Sequence, residues 1–283
     1  MSKIWNHLTD WERSPIYAYF KSKIVERQVK ELIAALKDED IDSRKYAADA
    51  LGELKDPTAT PALTDALEDE DPFVRLHAAG ALGKIRDPTA TPALIVALKD
   101  ENWIVREESA WALGEIKGSS AGPALIDALK DEYWNVNVKA SQALIKIGKP
   151  VVPMLGDAIK SEFWKVRLHA ANALGASKDP ATVSLLIDTL GDDYFSIRRN
   201  AVDALKKTVP GNQGGLKLLR KKMREAKQEG KHTEEFIEVY TCWSNELRTR
   251  ANRHVSAAKT LPKPRVPGKP GSNNRINRAK RAI

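Results

Sequence analysis

The 283-residue sequence has one cysteine, Cys242, so it can form neither an internal disulfide nor a thiolate metal cluster. That fits a reducing compartment, and a cytoplasmic location is expected. No apolar run approaches the ~20 residues that cross a bilayer. The opening Met-Ser-Lys-Ile-Trp-Asn-His has no long apolar stretch and no small-residue cleavage site, so no secretory signal is expected. Glycine-rich phosphate loops, ligand clusters and nucleophile–base signatures are missing too. The expectation is a protein that is not an enzyme and holds no metal and no cofactor.

What is present is a soluble globular composition, with 42% hydrophobic and 30% charged residues. The net charge of +8 is unevenly placed. From residue 211 onward 18 Lys and Arg stand against 6 Asp and Glu, which leaves residues 1–210 with 28 basic and 32 acidic residues. The basic character belongs to the C-terminal quarter, which suits a partner of its own.

The rest is a repeat. Residues 61–91 read PALTDALEDEDPFVRLHAAGALGKIRDPTAT, residues 92–122 read PALIVALKDENWIVREESAWALGEIKGSSAG, and 123–150 continue with PALIDALKDEYWNVNVKASQALIKIGKP. Residues 29–60 precede them without the opening proline, and the diverged units 151–183 and 184–210 follow. A leucine recurs at Leu36, Leu67, Leu98, Leu129 and Leu190, with Ile159 replacing it once, in steps of 31 residues and one of 30. Each unit predicts two short helices. In unit two, Pro61 opens the first, and Ala62, Leu63, Ala66 and Leu67 form its apolar stripe. Pro72 opens the second, whose buried face is Val74, Ala78, Ala81, Leu82 and Ile85. Helices of ~10 residues are marginal alone, so stacking must stabilise them. The fold class is an all-α solenoid of about six helical hairpins.

The strings Asp…Val-Arg-x-x-Ala-Ala-x-Ala-Leu-Gly at Asp69 to Gly83 and Asp100 to Gly114, the latter with Ser109 in the first alanine place, resemble the HEAT repeat. The resemblance is to the short HEAT-like variety first named from phycobilisome lyases, and it covers residues 29–210. It implies scaffolds, nucleic-acid binders and a few enzymes, among them bilin lyases and DNA glycosylases. Hydroxylases of the family take iron through His-Glu pairs, a dipeptide this sequence lacks. The resemblance also implies a side-chain ladder between repeats, carried here by Asp38/Arg44, Asp69/Arg75, Asp100/Arg106 and Asp192/Arg198. It is interrupted where unit four has Asp131 but Asn137, and unit five Ser161 but Arg167. Altered curvature or a softer joint is expected there.

If the second helices line the concave face, one column along it is Tyr46, His77, Glu108, Lys139, His169 and Asn200. The next is Asp49, Gly80, Trp111, Gln142, Asn172 and Asp203. Trp111 is either an aromatic anchor for a partner or the filler of a gap left by Gly80. Glu107 and Glu108 read as a solvated face. His77 and His169 lie three units apart, too far to share a metal ion. The first position of the second helix, Pro72 in unit two, becomes Trp103, Trp134, Trp164 and Phe195, with Tyr133, Phe163 and Tyr194 just before the last three. This aromatic edge either closes the turns by stacking or grips a peptide or partner helix.

Residues 1–28 read as an N-terminal helical cap. Residues 211–258 read as a basic helical hairpin broken near Gly230, with Lys217, Arg220, Lys221, Lys222, Arg224 and Lys227 on its first helix. Phe236, Tyr240, Trp243 and Leu247 form a docking stripe on its second. Residues 259–283 read as a disordered basic tail, with Lys263, Arg265, Lys269, Arg275, Arg278, Lys280 and Arg281 but no acidic residue. The leading expectation is a scaffold binding a protein or peptide through the concave face and aromatic edge. Non-specific nucleic acid or another acidic surface, bound by the basic helix and tail, is the alternative, and a lyase-like or glycosylase-like enzyme is third.

Overall fold

The computed structural model of the chain describes residues 15–260 except residue 178 and residues 208–212. The expected tail cations from Lys263 to Arg281 and the first half of the expected N-terminal cap lie outside the described residues. Among the described residues there are fourteen α-helices and no strand. They are α1 (Pro15–Ala35), α2 (Ile41–Leu54), α3 (Thr60–Asp65), α4 (Pro72–Ile85), α5 (Thr91–Ala97), α6 (Trp103–Ile116) and α7 (Gly122–Ala128). There follow α8 (Trp134–Ile147), α9 (Val152–Ala158), α10 (Trp164–Ser177), α11 (Val183–Thr189), α12 (Phe195–Lys207), α13 (Gln213–Gln228) and α14 (Glu234–Thr260). The pairs from α1/α2 to α11/α12 are the six units, and α13/α14 closes the stack. Residues 15–28, read as part of a separate cap, continue into the first helix of unit one.

Local chemistry sets the element ends. Asp56 and Asp87 accept the backbone N–H groups of Thr58 and Thr89, closing a short 3-10 turn that leads into α3 and α5. Those first helices have only 6 or 7 residues. Nothing in such a length is stable alone, so the fold is built from contacts between neighbours.

Two devices make those contacts. The first is a seam of small residues. A Cβ added to Gly52 or Gly114 would come 2.8 Å from the Cα of Ala81 or Ala143 in the next unit, and one on Gly83 would meet Ala112 at 2.9 Å. Gly175 meets Ala204 in the same way. Successive second helices therefore touch backbone to backbone.

The second is the ladder, which runs between units: each arginine takes the carbonyl at the turn of its own unit and the carboxylate of the next. Arg75 Nη1 donates to the carbonyl of Asp69 at 2.9 Å, while Nε and Nη2 reach forward to Asp100 at 2.7 and 2.9 Å. Arg44 likewise serves the Asp38 carbonyl and the Asp69 carboxylate, Arg106 those of Asp100 and Asp131, and Arg167 the Ser161 carbonyl and Asp192. Arg198 holds the Asp192 carbonyl and ends the series on Glu235 of α14, at 2.7 Å and buried. Trp243, also on α14, buries its ring and donates Nε1–H to the Leu205 carbonyl.

Both devices lapse between units four and five. Asn137 donates to the carbonyls of Leu129 and Asp131 in its own unit, at 3.0 and 2.8 Å, and reaches nothing beyond. Ile145 stands where α2, α4, α6 and α10 carry the seam glycine. The α8–α10 interface is accordingly the smallest between successive second helices of the six units. Asn137 Oδ1, Ser141 Oγ and His169 Nε2 are buried beside it without hydrogen-bond partners among the described residues.

Two predictions follow from these contacts. Arg106→Ala leaves Asp131, 11% exposed, without its guanidinium and should lower stability in urea unfolding by about 3 kcal/mol; a loss below ~0.5 kcal/mol would show that the ladder contributes little. Spin-label distances across α8 and α10 should be broader than those across α4 and α6, and equal widths would exclude a soft joint.

Candidate partner-binding surface

The second helices of units one to three carry a capping residue at the turn: Asp40, Asp71 and Asn102 accept backbone N–H groups of the first helical turn. In units four to six the same place is Tyr133, Phe163 and Tyr194. Tyr133 makes no side-chain cap. Exchanging a cap for an aromatic ring sacrifices about 1 kcal/mol of helix stability at each such turn.

The rings are partly stacked and still exposed. Trp103 stacks on Tyr133 with centroids 5.4 Å apart and planes 10° from parallel, and Trp164 on Tyr194 at 5.8 Å and 17°. Ladder cations sit against the same rings, Arg106 5.6 Å from Tyr133 and Arg167 5.6 Å from Tyr194. Lys130 covers Phe163, and Arg198 lies 5.7 Å from Phe195. Stacking thus holds the rings in place, yet Tyr133, Trp134, Phe163, Trp164, Tyr194 and Phe195 remain 37–66% exposed. Between units four and five the sequence of stacks is broken: Trp134 tilts over His169 of the next unit instead, at 5.4 Å.

The columns expected on the concave face divide. His77 is half-buried, and its Nδ1 lies 2.9 Å from Asp49 of the preceding unit. Lys139 is half-buried beside Glu108. Glu108 does not belong to a solvated face: it is half-buried, its Oε1 3.1 Å from where a Cβ on Gly80 would be. Burial pushes its carboxyl above the ordinary value, against the pull of Lys139. His169 is 6% exposed under Trp134, so it cannot touch a partner directly. Trp111 does fill a gap, but the gap is over Gly83, whose added Cβ would lie 2.5 Å from the indole; Glu108 is what covers Gly80. Its ring is half-buried. Ion pairs between units cover more of this surface, Lys84 with Glu53 at 2.9 Å and both Arg86 and Lys146 with Glu115.

The basic helix α13 is partly engaged within the protein. Arg220 lies over the Tyr240 ring at 4.9 Å and bonds its hydroxyl, Lys222 pairs with Asp188 at 2.9 Å, and Lys221 approaches Glu225. Lys217, Arg224 and Lys227 are exposed. Among the described residues there is no group of three or more His, Cys, Asp or Glu able to hold a metal, and no helix long and apolar enough to cross a membrane.

The profile of the HEAT-repeat family matches residues 29–101, 91–159 and 152–230. The chain belongs to the HEAT-repeat family. Among solved structures it is similar to the archaeal HEAT-like repeats protein from Thermococcus onnurineus NA1, at 18% identity and a TM-score of 0.50, over 76% of this chain and 95% of that one. It is similar to importin beta at 14% identity and a TM-score of 0.52, over 70% of this chain and 33% of that one. The complex of CpcE and CpcF of phycocyanin lyase from Nostoc sp. PCC7120 matches at 26% identity and a TM-score of 0.45, over 77% of this chain and 94% of that one. No curated protein matches. Within this HEAT solenoid the ladder and seam join the units, and the aromatic edge is a surface that the stack leaves partly exposed.

Burial pushes the pKa of His169 below the usual imidazole value, and Lys165 adds to the effect. The unfolded chain therefore takes up this proton first, and the native state loses stability as pH falls through about 6.5. His169→Gln should flatten the acid-side decline of the melting temperature between about pH 6.5 and 5. An unchanged slope would show that His169 does not set it.

Proposed function

We propose that this chain is a non-catalytic scaffold that holds a protein or peptide partner along its aromatic edge, with the second-helix surface around Trp111, His77 and Lys139 contributing. The observation that carries this reading is the exchange at the turns of units four to six. Three aromatic residues occupy places where the earlier units cap their helices, and Tyr133, Phe163 and Tyr194 stay 44–48% exposed. Folding alone favours a capping residue and a buried ring. Rigid aromatic side chains, pre-positioned by stacked neighbours and guanidinium groups, lose little entropy on binding and supply large contact areas. The basic helix and tail have less to support them as a nucleic-acid surface, because several cations of α13 are already bonded to Tyr240, Asp188 and Glu225.

The test is affinity capture from native lysate, with and without nuclease. The Trp134→Ala, Trp164→Ala, Phe195→Ala triple variant should lose its partner by at least about tenfold while its melting temperature stays close to the parent's. Capture should survive nuclease and removal of residues 259–283. Capture that collapses with salt or nuclease and ignores the triple variant would reject the aromatic edge in favour of the basic C-terminal region.

A further inference from the structure

Among the described residues, the N-terminal end of the solenoid leaves both devices open. Asp38 stands in the ladder place of Asp69, Asp100, Asp131 and Asp192. Like them it accepts the backbone N–H two residues on, from Asp40 at 2.9 Å. Each of those four receives a guanidinium from the unit before it. Asp38 has no ion-pair partner among the described residues. Ala50 likewise stands in the seam place of Ala81, Ala112, Ala143 and Ala204, each of which receives the glycine of the preceding second helix.

The space that a preceding second helix would fill is a groove of about 820 Å³ between α1 and α2. Leu32, Ala35, Ala50 and Leu54 form its apolar lining, and Tyr46 at its side is 72% exposed. The charged residues lining it are Glu31, Asp38, Asp49 and Glu53, with no Lys or Arg; Glu31, Asp49 and Glu53 already face Arg27, His77 and Lys84, so Asp38 is the acid left without an ion-pair partner among the described residues. Such a site suits a helix that is apolar or small-faced along one stripe and positively charged beside it.

A second copy stacked head to tail has no arginine to offer, because Arg198, the last of the ladder, is already bonded to Glu235.

We propose that this end of the solenoid binds an arginine-bearing α-helix of a different protein, its guanidinium taken by Asp38 and a glycine or alanine of it seated against Ala50. The surface is separate from the aromatic edge, so the scaffold would hold two partners, or two parts of one, at different places.

A suitable probe is a fluorescein-labelled peptide of this chain's residues 71–86, crosslinked on its solvent side to hold it helical. It carries Arg75 and Gly83 in the spacing that the ladder and seam use. Anisotropy titration with the full chain should give saturable binding. Asp38→Asn in the protein and Arg75→Gln in the peptide should each weaken it at least about tenfold, and Ala50→Glu should abolish it. The Trp134→Ala, Trp164→Ala, Phe195→Ala variant should bind the peptide unchanged, which separates failure here from failure of the aromatic edge. No saturation by about 1 mM protein, or equal binding of the Arg75→Gln peptide, would overturn the proposal. Binding that appears only after residues 1–14 are deleted would overturn it also, by showing that the chain covers this groove itself.

Discussion

Each ladder arginine joins two problems that a repeat protein must solve together. One arm of the guanidinium bonds the carbonyl at the turn of its own unit, as Arg75 does to Asp69, and the other grips the carboxylate of the next, as Arg75 does to Asp100. The shape of a turn and the register between units are thereby fixed by one side chain. An exposed ion pair could not do this, since solvent and salt would weaken it. These are shielded: the side chains of Arg75 and Asp100 are 8% and 11% exposed. Burial alone would raise Asp131, yet Arg106 and the Tyr133 N–H hold it below the ordinary carboxylate value. Its contribution to stability is therefore full at neutral pH and fades only as strong acid protonates it.

The same logic explains why the joint between units four and five differs. Asn137 can satisfy carbonyls of its own unit but is too short and uncharged to hold the next, and the acceptor carboxylate is missing at Ser161 as well. A seam glycine would still have allowed backbone contact, but Ile145 occupies that place. Lys165 makes a partial replacement, donating backwards to the Asp131 carbonyl at 3.1 Å. With neither device in force, Trp134 is free to leave the stacking series and lean on His169. The aromatic edge is thus divided where the solenoid is least tightly bound, into Trp103 with Tyr133 on one side and Trp164 with Tyr194 on the other.

The hairpins were legible in the sequence because one residue choice, the leucine at Leu36 and its successors, reports the period without any three-dimensional input. The ladder residues were legible by type, but their partners were not. Asp69 and Arg75 are close in sequence, and only stacking reveals that Arg75 bonds the carbonyl of one aspartate and the carboxylate of another. The contents of the second-helix columns were harder still. Positions such as Gly80 and Gly83 differ by three residues and share a helix face, so which of them lies under Trp111 depends on the offset between neighbouring helices. Glu108 departs from the expected solvated face for the same reason, since it packs over Gly80 of another unit.

The two ends of the stack show what a repeat leaves behind when it stops. At the C-terminal end Arg198 meets Glu235, an acid from outside the repeat pattern, and Trp243 covers the apolar surface behind it. Nothing in the period of the sequence announces that carboxylate; it works because α14 runs alongside α12 and presents it at the right turn. At the N-terminal end Asp38 and Ala50 keep the form of a joint without a neighbour among the described residues to complete it. Among the described residues the stack is closed at one end and open at the other, and this gives it a direction. Additional helices can be accepted by the acidic, alanine-lined end, whereas the arginine end has already been neutralised by its own cap.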